Sequence, residues 1–282
     1  MILTLKRPIL SVGSALWVAL GLNGALSLSA WADEVFQARG YYAKGSLREP
    51  SSLLQEGPGY VKLFQSRGRQ FGSRELVGLI EGVSAYLQQV HPDGERIQIG
   101  DIAAETGGRI SGHASHQNGL DADLSFFRMN RTEQPISDES GFTEVFVKHG
   151  KLTENFDIER NWLFFHTAVS TWKIQRIFVD PAIKRLYCIL FDSQGDQAQL
   201  TRGSDQASLG EAGETLRRLR PYQNHDDHMH IRLYCPAGNT QCISQEEVLP
   251  GTGCRELQAL EGRHESSWDS SNQKLRKEHD GW

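Results

Sequence analysis

Apolar positions along the chain fall into a few clear periods. Leu76, Leu79, Ile80, Val83, Leu87 and Val90 recur at the spacing of one helix face, with Ser73 placed as an N-cap and Pro92 and Gly94 closing the run. Ile97, Ile99 and Ile102 suggest a strand. Leu120, Ala122, Leu124 and Phe126 alternate with Asp121, Asp123, Ser125 and Phe127, the pattern of a second strand with one apolar face. Between them lies a loop rich in Gly, Ser and His. Residues 158–174, with Trp162, Phe165, Val169 and Trp172, read as a helix, and 176–180 as a short strand. Pro181 then opens another helix at its favoured first-turn position. Residues 211–220 read as helical and 228–235 as a strand. Residues 33–59 are polar and Gly-rich without a period, and predict a loose lead-in. Residues 263–282 predict a flexible polar tail. Neither repeats nor a linker interrupt the pattern. The expected fold is therefore α+β, a single domain over residues 33–262 with a small antiparallel sheet flanked by helices.

The first 32 residues modify this reading. Lys6 and Arg7 precede an uncharged, mostly apolar stretch over residues 9–22, and Ala30, Trp31 and Ala32 form a small-x-small cleavage pattern. Residues 1–32 are thus expected to be a signal peptide cut after Ala32. A membrane anchor would need about 20 continuous apolar residues, and Asn23, Ser27 and Ser29 interrupt this run. No later segment is long and apolar enough to span a bilayer, so no stable membrane insertion is expected after cleavage. Composition adds one exclusion. Across 282 residues the formal charge is −5, which argues against a nucleic-acid partner, since such proteins present strongly basic faces.

Export gives the cysteines a meaning. Cys188, Cys235, Cys242 and Cys254 are an even set in an oxidising compartment, which suggests two disulfides. Three pairings are possible. The turn-rich loop between Cys235 and Cys242 could close on itself, leaving Cys188 with Cys254. A four-cysteine zinc cluster fits poorly because the CxxC knuckle spacing is missing.

Half of the ten histidines fall in two short windows, GGRISGHASHQNGLDAD at residues 107–123 and PYQNHDDHMHIR at 221–232. If 228–235 is a strand, Ile231 and Leu233 face a core while His228, His230 and Arg232 share the other face. His116, in a glycine-flanked loop, and Asp123, on the polar face of the following strand, can aim at the same point. His116, Asp123 and His230 supply two nitrogens and a carboxylate oxygen, the ligand set of catalytic zinc with one open position. Magnesium or calcium would prefer more oxygens. Zinc lowers the pKa of a bound water from about 15.7 to about 7, so amide hydrolysis is the expected chemistry. The sheet is accordingly expected to carry a zinc site. Other nucleophiles fare worse. Ser170 and Lys173 form an SxxK, but its S-D-N and K-T-G companions are missing, as are GxSxG, HExxH and a phosphate-binding loop.

With these motifs the sequence resembles the penicillin-insensitive murein endopeptidases, part of the zinc peptidase group that includes lysostaphin, D-Ala-D-Ala carboxypeptidases and Hedgehog. The group pattern HxxxxxxD falls on His116 and Asp123, and HxH on His228 and His230. RQFG at 69–72, RIFVDPAIK at 176–184 and HMHIRLYCP at 228–236 followed by Cys242 extend the likeness over roughly residues 59–254. The resemblance implies a periplasmic enzyme that acts on peptidoglycan, cutting the D-alanyl to meso-diaminopimelyl cross-link between stem peptides. It implies His116, Asp123 and His230 as zinc ligands, His228 as the catalytic imidazole, and His113 as a polar site residue at times associated with additional metal. It also agrees with the pairs Cys235–Cys242 and Cys188–Cys254. At KHGKL, residues 148–152, the chain departs from members that carry an Asp and a His there. Asp227 stands where the carboxypeptidase branch keeps a catalytic Glu, but strand alternation would turn it away from His230.

Around this set, Asp121 and His225 are expected to orient ligands through hydrogen bonds. Arg109 and Arg232 could receive a substrate carboxylate, and Tyr222 and Trp162 could line a peptide groove. Two other readings share the motif: a D-alanyl-D-alanine carboxypeptidase, and a non-catalytic zinc-containing wall-binding domain.

Overall fold

In the computed structural model the side chain of Ser73 accepts the amide of Leu76 and starts helix α1 (Arg74–Val90), whose apolar face from Leu76 to Leu87 is buried. The structure describes residues 37–137, 139–198, 210–255 and 257. The expected leader at 1–32 and tail at 263–282 lie outside them. Strand β1 (Ala38–Tyr41) pairs with β2 (Lys44–Leu47), and β3 (Ser51–Ser52) with β6 (Phe71–Gly72). The 33–59 lead-in is therefore built structure from Gln37 onward, not loose chain. Its order comes from backbone pairing and from four buried anchors, Ala38, Tyr42, Leu47 and Leu53.

A seven-stranded sheet forms the centre, in the order β12 (Leu219–Pro221), β11 (Ile174–Val179), β13 (His228–Leu233), β8 (Asp121–Ser125), β7 (Ile97–Ile99), β5 (Tyr60–Lys62), β4 (Glu56–Gly57). The four strands β11, β13, β8 and β7 are antiparallel, as expected. Parallel pairs, β11 with β12 and β5 with β7, extend them on either side. A small hairpin joins β9 (Val147–Lys148) to β10 (Lys151–Leu152), with the KHGKL segment turning at His149 and Gly150. The α+β class holds, and the sheet is larger than the periods predict.

Helix α2 (Ile158–Ser170) is capped by Asp157 and packs with α1 and α4 (Gly210–Arg218), and α3 (Pro181–Ala198) starts at its proline as expected. Ile177 and Val179 of β11, Met229, Ile231 and Leu233 of β13, and Ala122 and Leu124 of β8 join these helices in one core. Burial of such side chains contributes roughly 1.5–3 kcal/mol each. Strand β11 begins at Ile174, two residues before the expected start. Its pairing shifts between Ile174 and Arg176, so Gln175 is an extra residue that breaks the two-residue period. After this shift Arg176 and Phe178 face away from the helices, beside Arg232 and His230.

Both disulfides are formed, Cys188–Cys254 and Cys235–Cys242. The described residues belong to one unit. Among the described residues no helix is long and apolar enough to cross a membrane.

Candidate metal centre

Register places the site. In the β13–β8 ladder His230 stands opposite Asp123, Arg232 opposite Asp121 and His228 opposite Ser125, so one sheet face carries three aligned pairs of polar side chains. The loop before β8 brings His116 over this face. Nε2 of His116, Oδ1 of Asp123 and Nδ1 of His230 then form a triangle with all three edges 3.3 Å. A tetrahedral ion with ligand bonds of about 2.05 Å requires edges of ~3.3 Å, so the donors already stand at ligand spacing. Oδ1 of Asp123 is fully buried and has no hydrogen-bond partner among the described residues. An unpartnered buried carboxylate oxygen is costly, and a cation between these three atoms would compensate it. His113 also belongs to the group. With His116 and Asp123 it offers ligand atoms all within 4.8 Å of one another.

Neighbours fix which nitrogens face the centre. Nδ1 of His116 donates to the Ile102 carbonyl at 2.7 Å, which leaves Nε2 free. Nε2 of His230 lies 3.1 Å from Oδ1 of Asp121, an electrostatic contact without the alignment of a full hydrogen bond. Asp121 is wholly buried. It accepts Nε of Arg232 at 2.7 Å and, through Oδ2, the backbone amide of His116 at 3.0 Å. Burial opposes its ionisation, but Arg232 and His230 outweigh burial and hold the carboxyl well below the usual range. Asp121 thus ties the ring of His230, the backbone of His116 and a buried arginine together, a wider role than orienting one histidine.

His116 itself sits at φ 66°, a left-handed conformation that a histidine adopts at a cost. The bond from its amide to Asp121 and the anchoring of its ring offset that strain. Upstream, Gly107 at φ 68° leaves no room for a side chain, since a Cβ would lie 2.2 Å from the Gln117 carbonyl and 2.5 Å from the Leu47 amide. The histidine loop is thereby pressed onto β2.

His228 points its Nε2 toward Asp123, 3.8 Å from Oδ1, while Nδ1 is hydrogen-bonded to Asp227. Strand β13 begins at His228, so alternation does not extend to Asp227. Its carboxylate holds His228 where a strand pattern would have turned it away. Burial works against the His228 imidazolium, but Asp123 and Asp227 overcome it and raise the pKa. His225 behaves oppositely. Burial and the neighbouring His228 push it down to about 4, so it is neutral at neutral pH. Its ring centroid is 4.9 Å from that of His228.

A cleft of about 650 Å³ opens over these residues, walled by Tyr41, Phe64, Phe142, Tyr222 and Gln245. Of the residues singled out in the sequence, Arg109 is exposed outside this lining, and Trp162 lies away from it, tilted against Tyr187 and parallel to His166. Tyr222 does line the cleft, with its ring edge-on to Phe178 and His225. Arg232 also reaches the cleft, but Asp121 engages its guanidinium. Two participants escaped the sequence reading. Asp101 receives Nε2 of His113 at 3.0 Å and Arg69 at 2.8 Å, and with Arg67 these overcome burial to hold its pKa at about 2. The RQFG arginine was a visible signal for it, while Phe142 carried none.

The chain is similar to known proteins over most of its length. The family model described as penicillin-insensitive murein endopeptidase matches residues 38–280. A penicillin-insensitive murein endopeptidase of Klebsiella pneumoniae subsp. pneumoniae is 32% identical over 257 residues, covering 87% of this chain and 86% of that protein. Proteins of the same description from Haemophilus influenzae, 32% identical over 76% of this chain and 69% of theirs, and Yersinia pestis, 31% identical over 77% and 73%, are also similar.

Proposed function

This chain belongs to the penicillin-insensitive murein endopeptidase family, and we propose that it is a zinc-dependent peptidoglycan endopeptidase that hydrolyses the D-alanyl to meso-diaminopimelyl cross-link. The observation that carries the proposal is the 3.3 Å triangle of His116, Asp123 and His230 around a buried, unpartnered carboxylate oxygen. These three residues would hold zinc. When bound, zinc supplies Lewis acidity and a water that ionises near neutral pH.

The remaining residues handle position and protons. Asp227 engages Nδ1 of His228, so Nε2 is the nitrogen free to hold a proton at the cleft floor and return it to the leaving amine. Neutral His225 beside it adds no positive charge to that exchange. His113, fixed by Asp101, turns Nδ1 to within 3.5 Å of Oδ2 of Asp123 and steadies the carboxylate. The cleft has the volume range of sites that enclose a compact ligand, and its aromatic wall suits a peptide segment. Residues 1–32 would direct export and be removed after Ala32, residues 33–262 would be the catalytic domain and 263–282 a tail. Action on a wall polymer, with an exported chain, would put the mature protein in the periplasm.

The test is incubation of the mature protein, with and without a chelator, with a cross-linked muropeptide dimer and a linear pentapeptide monomer. Cleavage of the dimer that stops on chelation is the expected result. Release of D-alanine from the monomer alone would identify a carboxypeptidase, and inertness toward both despite bound zinc would identify a wall-binding module.

A further inference from the structure

Phe142 is half-buried on the cleft wall, outside the helix-backed core. Its ring lies flat on the His228 imidazole, with centroids 5.1 Å apart and an interplanar angle of 11°. Phe64 meets the same ring edge-on at 5.5 Å. Beneath it is Gly100, where a Cβ would fall 2.7 Å and 3.0 Å from ring atoms of Phe142, so the absence of a side chain there admits the ring. The backbone on both sides of Phe142 is clamped by buried Gln134. Nε2 of Gln134 donates to the Gly141 carbonyl at 3.0 Å, and its Oε1 accepts the Thr143 amide at 3.1 Å. Gln134 is in turn bound through its own backbone to Gln98 of β7 at 2.8 and 3.0 Å. A chain of contacts thus runs from the sheet to one face of His228.

The Asp227 contact and the Cβ attachment hold one edge of the imidazole and leave the ring plane able to tip about that edge. A flat partner closes that freedom, and aromatic pairs resist loss of their preferred geometry. We propose that Phe142 is a positioning residue for the family reaction: it holds the plane of His228 so that Nε2 stays over Asp123, and Gly100 and Gln134 exist in that arrangement to seat it. This rests on the endopeptidase reading above.

The experiment compares Phe142→Ala, Phe142→Leu, Phe142→Tyr and Gly100→Ala in the mature protein, with melting temperature and bound metal checked for each. With muropeptide dimer, Ala and Leu at 142 should lower kcat by about ten- to a hundredfold, as small misplacements of catalytic groups do, with KM changed less than about twofold and metal retained. Tyr keeps a flat ring and should restore turnover. Gly100→Ala should lower kcat in the wild type and have little effect once Phe142 is Ala. In a His228→Ala background, Phe142→Ala should cost nothing further. A raised KM at unchanged kcat, or an undiminished loss in the His228→Ala background, overturns the proposal. The ring protons of His228, followed by NMR, give a readout without turnover. Their ring-current displacement should vanish in Phe142→Leu and persist in Phe142→Tyr. An unchanged spectrum overturns the proposal, whereas a wild type that cleaves no dimer but shows this spectral change sinks only the endopeptidase reading.

Discussion

Asp121 lies 3.1 Å from Nε2 of His230, on the opposite edge of the imidazole from the nitrogen that faces Asp123. The same carboxylate takes the Arg232 guanidinium and the amide of His116. Asp121→Asn should therefore weaken metal binding by about 10- to 100-fold, measured by competition with a chelator. It should also destabilise the fold by ~3–5 kcal/mol, because buried Arg232 loses its counter-charge. Unchanged affinity would mean that His230 needs no orienting partner.

His228→Ala is expected to retain zinc and lose roughly 10²- to 10⁴-fold in turnover, the range of a removed general acid–base. Metal analysis together with muropeptide turnover checks both halves. A variant that loses the metal would show His228 to be a ligand.

Buried Lys62 provides a prediction about pH. Burial pushes its pKa down to about 8, with Asp101 only partly opposing. A lysine whose folded pKa is depressed costs stability wherever both states are charged, and that cost fades as pH rises from the folded value toward the unfolded 10.5. Lys62→Met should thus stabilise the protein at pH 7 by ~1–3 kcal/mol, with a smaller gain above pH 10. Chemical denaturation at the two pH values measures it. A loss of stability at pH 7 would show that the contact of the ammonium with the Leu63 carbonyl outweighs its burial.

The two disulfides should differ in weight. Cys188–Cys254 closes 66 residues and Cys235–Cys242 only seven. On loop-closure entropy the longer bridge stabilises by ~4 kcal/mol and the shorter by ~2. Paired Cys→Ser variants, compared by thermal unfolding, should rank in that order.

Periodic elements were legible where one face alone is apolar. Helix α1 with its Ser73 cap, β8 and β13 needed no tertiary information, and the last two carry three of the key donors, Asp123, His228 and His230. Strands β1 and β2 were illegible because backbone bonds hold them, including Gly40 to Gln241 and Ile243 to Gly40, and because their side chains show no alternation. Strand β12 was absorbed into a helical reading because Leu219 continues the period of α4 and joins β11 only in three dimensions. Asp227 was misjudged for a local reason, the point at which β13 begins. The ties from Asp101 to His113 and from Phe142 to His228 cross 12 and 86 positions, and no short motif encodes them.

Gly40 and Cys242 stand side by side in a parallel bridge, with Asn239 bonded to the Ala38 carbonyl. The clasp sets Tyr41 from the front of the chain and Gln245 from its far end in the same cleft wall. Removing residues 239–245 would take the Asn239 and Gln241 bonds from β1 and Gln245 from the cleft lining.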